Sequence, residues 1–133
     1  MKKFTYIATL VLGMMMLWGS QLQAQSPTSA LKAIEKAIVS ADAEALGTHF
    51  NTSVDVTVPS SDKSYSSQQA TFVIKEFFNN AGVKAFESMH EGQSGATYYS
   101  TGILTTSKGE FDTNIFLKKI GDNYLITQIR FEK

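Results

Sequence analysis

The sequence predicts an α+β domain: helices gathered on one side of a bent, mostly antiparallel sheet. Three observations lead there. Thr97 to Thr106, Glu110 to Ile120 and Tyr124 to Phe131 alternate side-chain character with period two, and Ser107-Lys108-Gly109 and Gly121-Asp122-Asn123 separate them. Runs of this kind, rich in Tyr, Thr, Ile and Phe and broken by short Gly-containing turns, read as an antiparallel meander. Upstream, two stretches place apolar residues at three- and four-residue spacing, the period of a helix with one buried face. The order of helices followed by strands segregates the two kinds of element. A length of 133 residues with 43% apolar composition supports one core and not two.

Taken in order, Met1 to Ala24 joins Lys2-Lys3 to an apolar run from Ile7 to Trp18 and a polar close, the layout of a secretory signal. The apolar run is about a dozen residues where a spanning helix needs roughly twenty. The expectation is cleavage after Ala24, a periplasmic or secreted protein, no membrane span after cleavage, and a single domain over 25–133. Ser26 then caps a helix with Pro27 at its first position, and Leu31, Ile34, Ala37, Ile38 and Ala41 form its apolar face, giving a helix from about Ser29 to Ala41. Asp42 caps a short second helix that stops near Gly47.

Val54, Val56 and Val58 alternate with polar residues in a strand that Pro59 ends, and Pro59 to Ser64 reads as a polar loop. Ser66 with Gln69 three residues on is a capping-box signature. Ala70, Val73, Ile74, Phe77 and Phe78 share a face of the helix that follows, and Asn79 to Gly82 ends it. Val83 to Glu91 alternates as a further strand, with Val83, Ala85, Glu87, Met89 and Glu91 set against Lys84, Phe86, Ser88 and His90. The expected core joins Leu31, Ile34, Ile38, Val73, Ile74 and Phe77 to strand residues.

Composition narrows the function. Twelve basic and twelve acidic side chains balance, and loss of Lys2 and Lys3 with the leader leaves the mature chain slightly acidic. The basic residues are scattered and form no stripe for nucleic acid. With no cysteine there are no disulfides, thiolate chemistry or zinc-thiolate sites. His49 and His90 have no partner at metal-ligand spacing, so no metal is expected, and no cofactor motif is present.

The succession AIVSADAEALGTHFNTSVDVTVP, YSSQQATFVIKEFF and HEGQSGATYYSTGILTTSKGEFDTNIFLKKIGDNYLITQIRFEK, spanning about Leu31 to Glu132, resembles a family of small secreted Bacteroidetes proteins known as a domain of unknown function. That family is similar to the nuclear-transport-factor-two-like (NTF2-like), cystatin-like superfamily. The resemblance implies a cone-shaped sheet closing over helices, with a pocket at the open end and frequent dimers through the sheet. It implies no single activity, because isomerases, dehydratases and non-catalytic modules share the cone.

Polar groups entering an apolar pocket fix a ligand, and the candidates are His90, Tyr98, Tyr99, Asp112, Asn114, Tyr124, Gln128 and Arg130. Strict alternation places Tyr124, Ile126, Gln128 and Arg130 on one face of the last strand, and Leu125, Thr127, Ile129 and Phe131 on the other. The expectation is a ligand site of Arg130, Gln128, His90, Tyr98, Tyr99 and Tyr124 holding a small apolar or acidic molecule, or a peptide. Arg130 would pair with a carboxylate, and its bland alternative is a surface ion pair. The enzymatic alternative makes His90 or Asp112 a proton-transfer group. Asp55 reads as solvent-facing and His49 as a surface or packing histidine. Phe111, Ile115 and Leu117 on one side of the penultimate strand, with Phe116 and Ile120 on the other, predict a homodimer through the sheet.

Overall fold

The computed structural model describes residues 26–133. The expected signal, Met1 to Ala24, lies outside the described residues. Helix α1 (Pro27–Val39) and helix α2 (Ala43–Gly47) precede strands β1 (Phe50–Val58) and β2 (Ser61–Ser66). Helix α3 (Ser67–Ala81) then leads into β3 (Val83–Ser94), β4 (Thr97–Thr106), β5 (Gly109–Ile120) and β6 (Asn123–Glu132). The six strands form one curved sheet in the order β2-β1-β6-β5-β4-β3. The sheet is mixed, because β1 runs parallel to β6 while every other pairing is antiparallel.

All three helix starts follow from their caps. The side chains of Ser26, Asp42 and Ser66 accept from the backbone N–H of Ser29, Ala45 and Gln69 at 3.1, 3.0 and 3.2 Å. Helix α1 ends two residues before the expected Ala41. Ala41 takes a left-handed φ of 51°, its N–H donates to Ile38 O at 3.0 Å, and the Asp42 N–H donates to Ala37 O at 2.8 Å. That pair of bonds is a Schellman closure. Alanine occupies the position where glycine is usual, so composition gives no warning of it.

The helices cover one face of the sheet. Leu31, Ile34 and Ile38 of α1 and Ile74, Phe77 and Phe78 of α3 are buried against Val54, Val56, Leu104, Phe111, Ile115, Leu117, Ile126, Ile129 and Phe131. Each large apolar side chain so buried contributes about 1.5–3 kcal/mol. Val73, expected in the core, is half-buried at its margin.

Two further expectations are corrected. The segment after Pro59 is not a loop but edge strand β2, paired with β1 from Ser53↔Ser66 to Val58↔Ser61. Its polar side chains bond across the pair: the Thr57 hydroxyl donates to Asp62 at 2.9 Å and Ser64 donates to Asp55. An edge strand with a solvated side needs no apolar alternation, so the pattern that reveals strands is missing there. Alternation also breaks inside β3 and β6. In β6 the pairing steps from Leu117↔Ile126 to Phe116↔Gln128, leaving Thr127 as a bulge. Tyr124, Ile126, Ile129 and Phe131 therefore face the helices, while Leu125, Gln128 and Arg130 face away. In β3 a bulge at Met89 sets Ser88 opposite Gly102 and Glu91 opposite Ser100, both on the helix-covered face. One extra residue re-aims everything beyond it and bends the strand.

Candidate functional site

The sequence-selected residues divide between the two faces of the sheet. On the uncovered face, the register aligns Asp62, Thr57, Arg130, Asn114, Thr101 and His90 in one row across all six strands. The next row holds Asp55, Gln128, Phe116 and Tyr99. Arg130, Gln128, His90 and Tyr99 thus share a face, but not the one that closes over the helices. Arg130 Nη2 donates to Glu132 Oε1 at 2.9 Å, the surface ion pair that was its alternative reading. The Glu132 hydrogen bond and then its charge hold the guanidinium above its ordinary value. His90 is exposed, with its ring 5.8 Å from Tyr99, whose own ring lies across Gly92. Asp112 is exposed on the same face, opposite Glu132.

Tyr98 and Tyr124 lie on the other face and meet edge-on at 5.1 Å. Desolvation first, and then Tyr124, hold the Tyr98 phenol above its ordinary value. His49 follows its bland reading, as burial lowers its pKa. Among the described residues no three His, Cys, Asp or Glu side chains gather as metal ligands, and no helix is long and apolar enough to cross a membrane.

The concave features are elsewhere, and sequence reasoning missed them. A cleft of about 370 Å³ opens between the β1–β2 turn and the last turns of α3, lined by Pro59, Tyr65, Val73, Phe77, Lys108 and Phe111 among others. A second hollow of about 480 Å³ adjoins it through Pro59, Lys108 and Phe111 and runs along Val58 and Phe131 to Lys133. Their shared wall is the β4–β5 turn. The Lys108 N–H donates to the Thr106 hydroxyl at 3.1 Å, which donates to Gly109 O at 2.8 Å. The Ser107 N–H donates to Gly82 O at 2.9 Å, tying the turn to the left-handed residue that caps α3. Lys133 Nζ donates to Lys108 O at 2.7 Å and stands 5.3 Å over the Phe111 ring. The result is an aromatic floor with a lysine on its rim. Its parts come from segments far apart in the sequence, so no local pattern could announce it.

A different polar group lies under α1. Glu35 carries its carboxyl toward Ser88, Glu91 and Ser100, and both Glu35 Oε1 and the Ser100 hydroxyl are buried without a hydrogen-bond partner. Burial raises the carboxyl above its usual 4.5; the Ser88 hydroxyl opposes this, the Glu91 charge adds to it, and Ser100 opposes it again. Here the sequence did hold a signal. Position 35 is four residues from Leu31 and three from Ile38, inside the apolar stripe. Because the folded chain keeps this proton above the pH at which the unfolded chain releases it, stability should fall as pH rises from about 4.5 through the folded value. Urea midpoints across that range should decline more for the native chain than for Glu35→Gln; parallel curves would show that Glu35 titrates normally.

No match is found among curated proteins. The chain is similar to a DUF4783 family protein from Bacteroides ovatus, 28% identical with a TM-score of 0.73 over 84% of this chain and 96% of that one. It is similar to another from Bacteroides uniformis, 26% identical with a TM-score of 0.73 over 77% and 94%. An NTF2-like protein of unknown function from Cytophaga hutchinsonii, 9% identical, shares the fold with a TM-score of 0.61 over 84% and 92%. The bent sheet over helices is thus the NTF2-like fold that the resemblance implied. Residues 31–132 match the domain of unknown function DUF4783, and the chain belongs to that family.

Proposed function

We propose that this chain is an exported, non-catalytic binding domain that takes a small apolar molecule bearing a carboxylate in the cleft beside Lys108. The observation that carries this reading is the cleft itself: Tyr65, Val73, Phe77 and Phe111 form its apolar surface, and Lys108 makes no ion pair among the described residues. Glu76 and Asn80 also line the cleft, and apolar walls with a few placed polar groups are the usual composition of a small-molecule site. Lys108 selects the acid and the aromatic floor its apolar tail. Proton transfer by His90 or Asp112 has less support, since both are exposed on the face of the sheet turned away from the helices and the cleft.

Dodecanoate, followed by displacement of a fluorescent probe, tests the ligand class. Lys108→Glu should weaken it by about 1.5–3 kcal/mol, roughly 10- to 100-fold, while leaving dodecanol unchanged. Equal dodecanoate affinity in the variant would overturn the reading.

Self-association through the uncovered sheet face is the second part of the proposal. Half-buried Tyr99, Ile103, Phe116 and Leu125 give that face apolar surface next to polar Asn114 and Gln128. Native mass spectrometry of protein recovered from the cell envelope tests export and association together. The expected species is a dimer of chains beginning near Gln25, which Phe116→Lys converts to monomer. Monomer at tens of micromolar would remove the dimer, and an intact Met1 would remove cleavage.

A further inference from the structure

We propose that the polar cluster between α1 and the β3–β4 edge, formed by Glu35, Glu91, Ser88 and Ser100, is a binding site for the primary ammonium group of a small amine. Its construction is specific. The Met89 bulge brings Ser88 and Glu91 to the same face, and Glu91 is paired opposite Ser100. With regular alternation Ser88 and Glu91, three residues apart, would point to opposite sides of the sheet. β3 is the terminal strand, and Ser88 and Glu91 are exposed, so the cluster is reached from solvent at the sheet edge. Its inner end is not: Ser100 is fully buried, and its hydroxyl and Glu35 Oε1 lie near each other without a well-formed hydrogen bond.

Among the described residues, no cation sits against this cluster to pair with its carboxyl groups. From β3 the groups on this face are Ser88 and Glu91, with Glu87 and His90 on the opposite one; from β4 come Ser100 and, one row along, Tyr98. On α1 itself Lys32 and Lys36 are exposed, and the charge that acts on Glu35 is that of Glu91. Neither carboxylate belongs to an ion pair among the described residues.

Donor arithmetic selects the ligand. Glu35 Oε1, the Glu91 carboxylate and the Ser100 hydroxyl offer three acceptors, and an ammonium presents three donors and no acceptor. A quaternary ammonium has charge without N–H donors and calls for an aromatic cage. A calcium ion takes about six to eight oxygens and would need all six of the two carboxylates and two hydroxyls at once, whereas the ammonium needs three. Without ligand, a proton on Glu35 removes its charge from the cluster, consistent with the raised Glu35 value. Amine uptake then releases that proton. Apparent affinity should rise by up to about tenfold per pH unit until Glu35 is ionised, and then level off.

The test is titration of the purified protein with propylammonium chloride at pH 5 to 8, read by the amide resonances of Ser88 and Ser100. Tetramethylammonium and calcium chloride at matched ionic strength are the controls. Saturable shifts with propylammonium alone are expected, with affinity increasing with pH. Glu35→Gln should weaken binding at least tenfold at pH 8 and flatten the pH profile. Ser100→Ala, which keeps both carboxylates, should weaken it by a smaller factor. The proposal fails if no saturable shift occurs at pH 8, if tetramethylammonium or calcium binds as well as propylammonium, or if Glu35→Gln binds undiminished.

Discussion

Phe77→Ala is expected to destabilise the protein by about 3–5 kcal/mol in urea unfolding. Phe77 is 8% exposed, and its ring meets Phe111 edge-on at 5.2 Å, Phe131 at 5.0 Å and Phe78 at 6.0 Å. Truncation removes the transfer free energy of the ring and three aromatic contacts, each worth about 0.5–1.5 kcal/mol beyond area. The side chain also borders the Lys108 cleft, so part of the new space opens to water. That places the loss toward the lower end of the range. A loss under about 1 kcal/mol would mean that α3 does not seat on β5 and β6 through this residue.

Gly102→Ala should be the most damaging single-methyl addition, costing about 1–3 kcal/mol by overpacking. A Cβ at Gly102 would stand 2.5 Å from Glu87 O and 2.6 Å from the Phe86 ring. The ring can turn, but the carbonyl belongs to the backbone of the paired strand and moves only if the β3–β4 ladder opens. The same addition at Gly95, where nothing lies within 4 Å, meets no steric obstacle, although its φ of +60° still disfavours a side chain. A thermal midpoint for Gly102→Ala within one degree of the native protein would show that the ladder yields freely.

The candidate site was less legible than the fold, and particular residues show why. Arg130 looked like an inward intrusion because Tyr124, Ile126, Gln128 and Arg130 alternate without a break. The Thr127 bulge reverses the faces after Ile126, and no residue type at that position signals it. Lys108 looked like an ordinary turn lysine. Only the β4–β5 turn meeting the end of α3 brings it to the cleft that Phe111 lines. Glu35 was legible in principle, since it interrupts an apolar stripe. Its partners Ser88, Glu91 and Ser100 are remote in sequence and share a face only through the Met89 bulge.

The sequence by itself determined the features that depend on near neighbours along the chain. Ser26, Asp42 and Ser66 start the helices because their side chains reach an N–H three residues on. The apolar spacing of α1 and α3 sets their buried faces, and Gly109 and Gly121 mark the turns between the last strands with positive φ. The tertiary structure alone decided the parallel β1–β6 pairing, the polar edge strand β2, and which face each side chain takes beyond a bulge. Those outcomes depend on pairing between distant segments, where one unpaired residue offsets the period-two pattern.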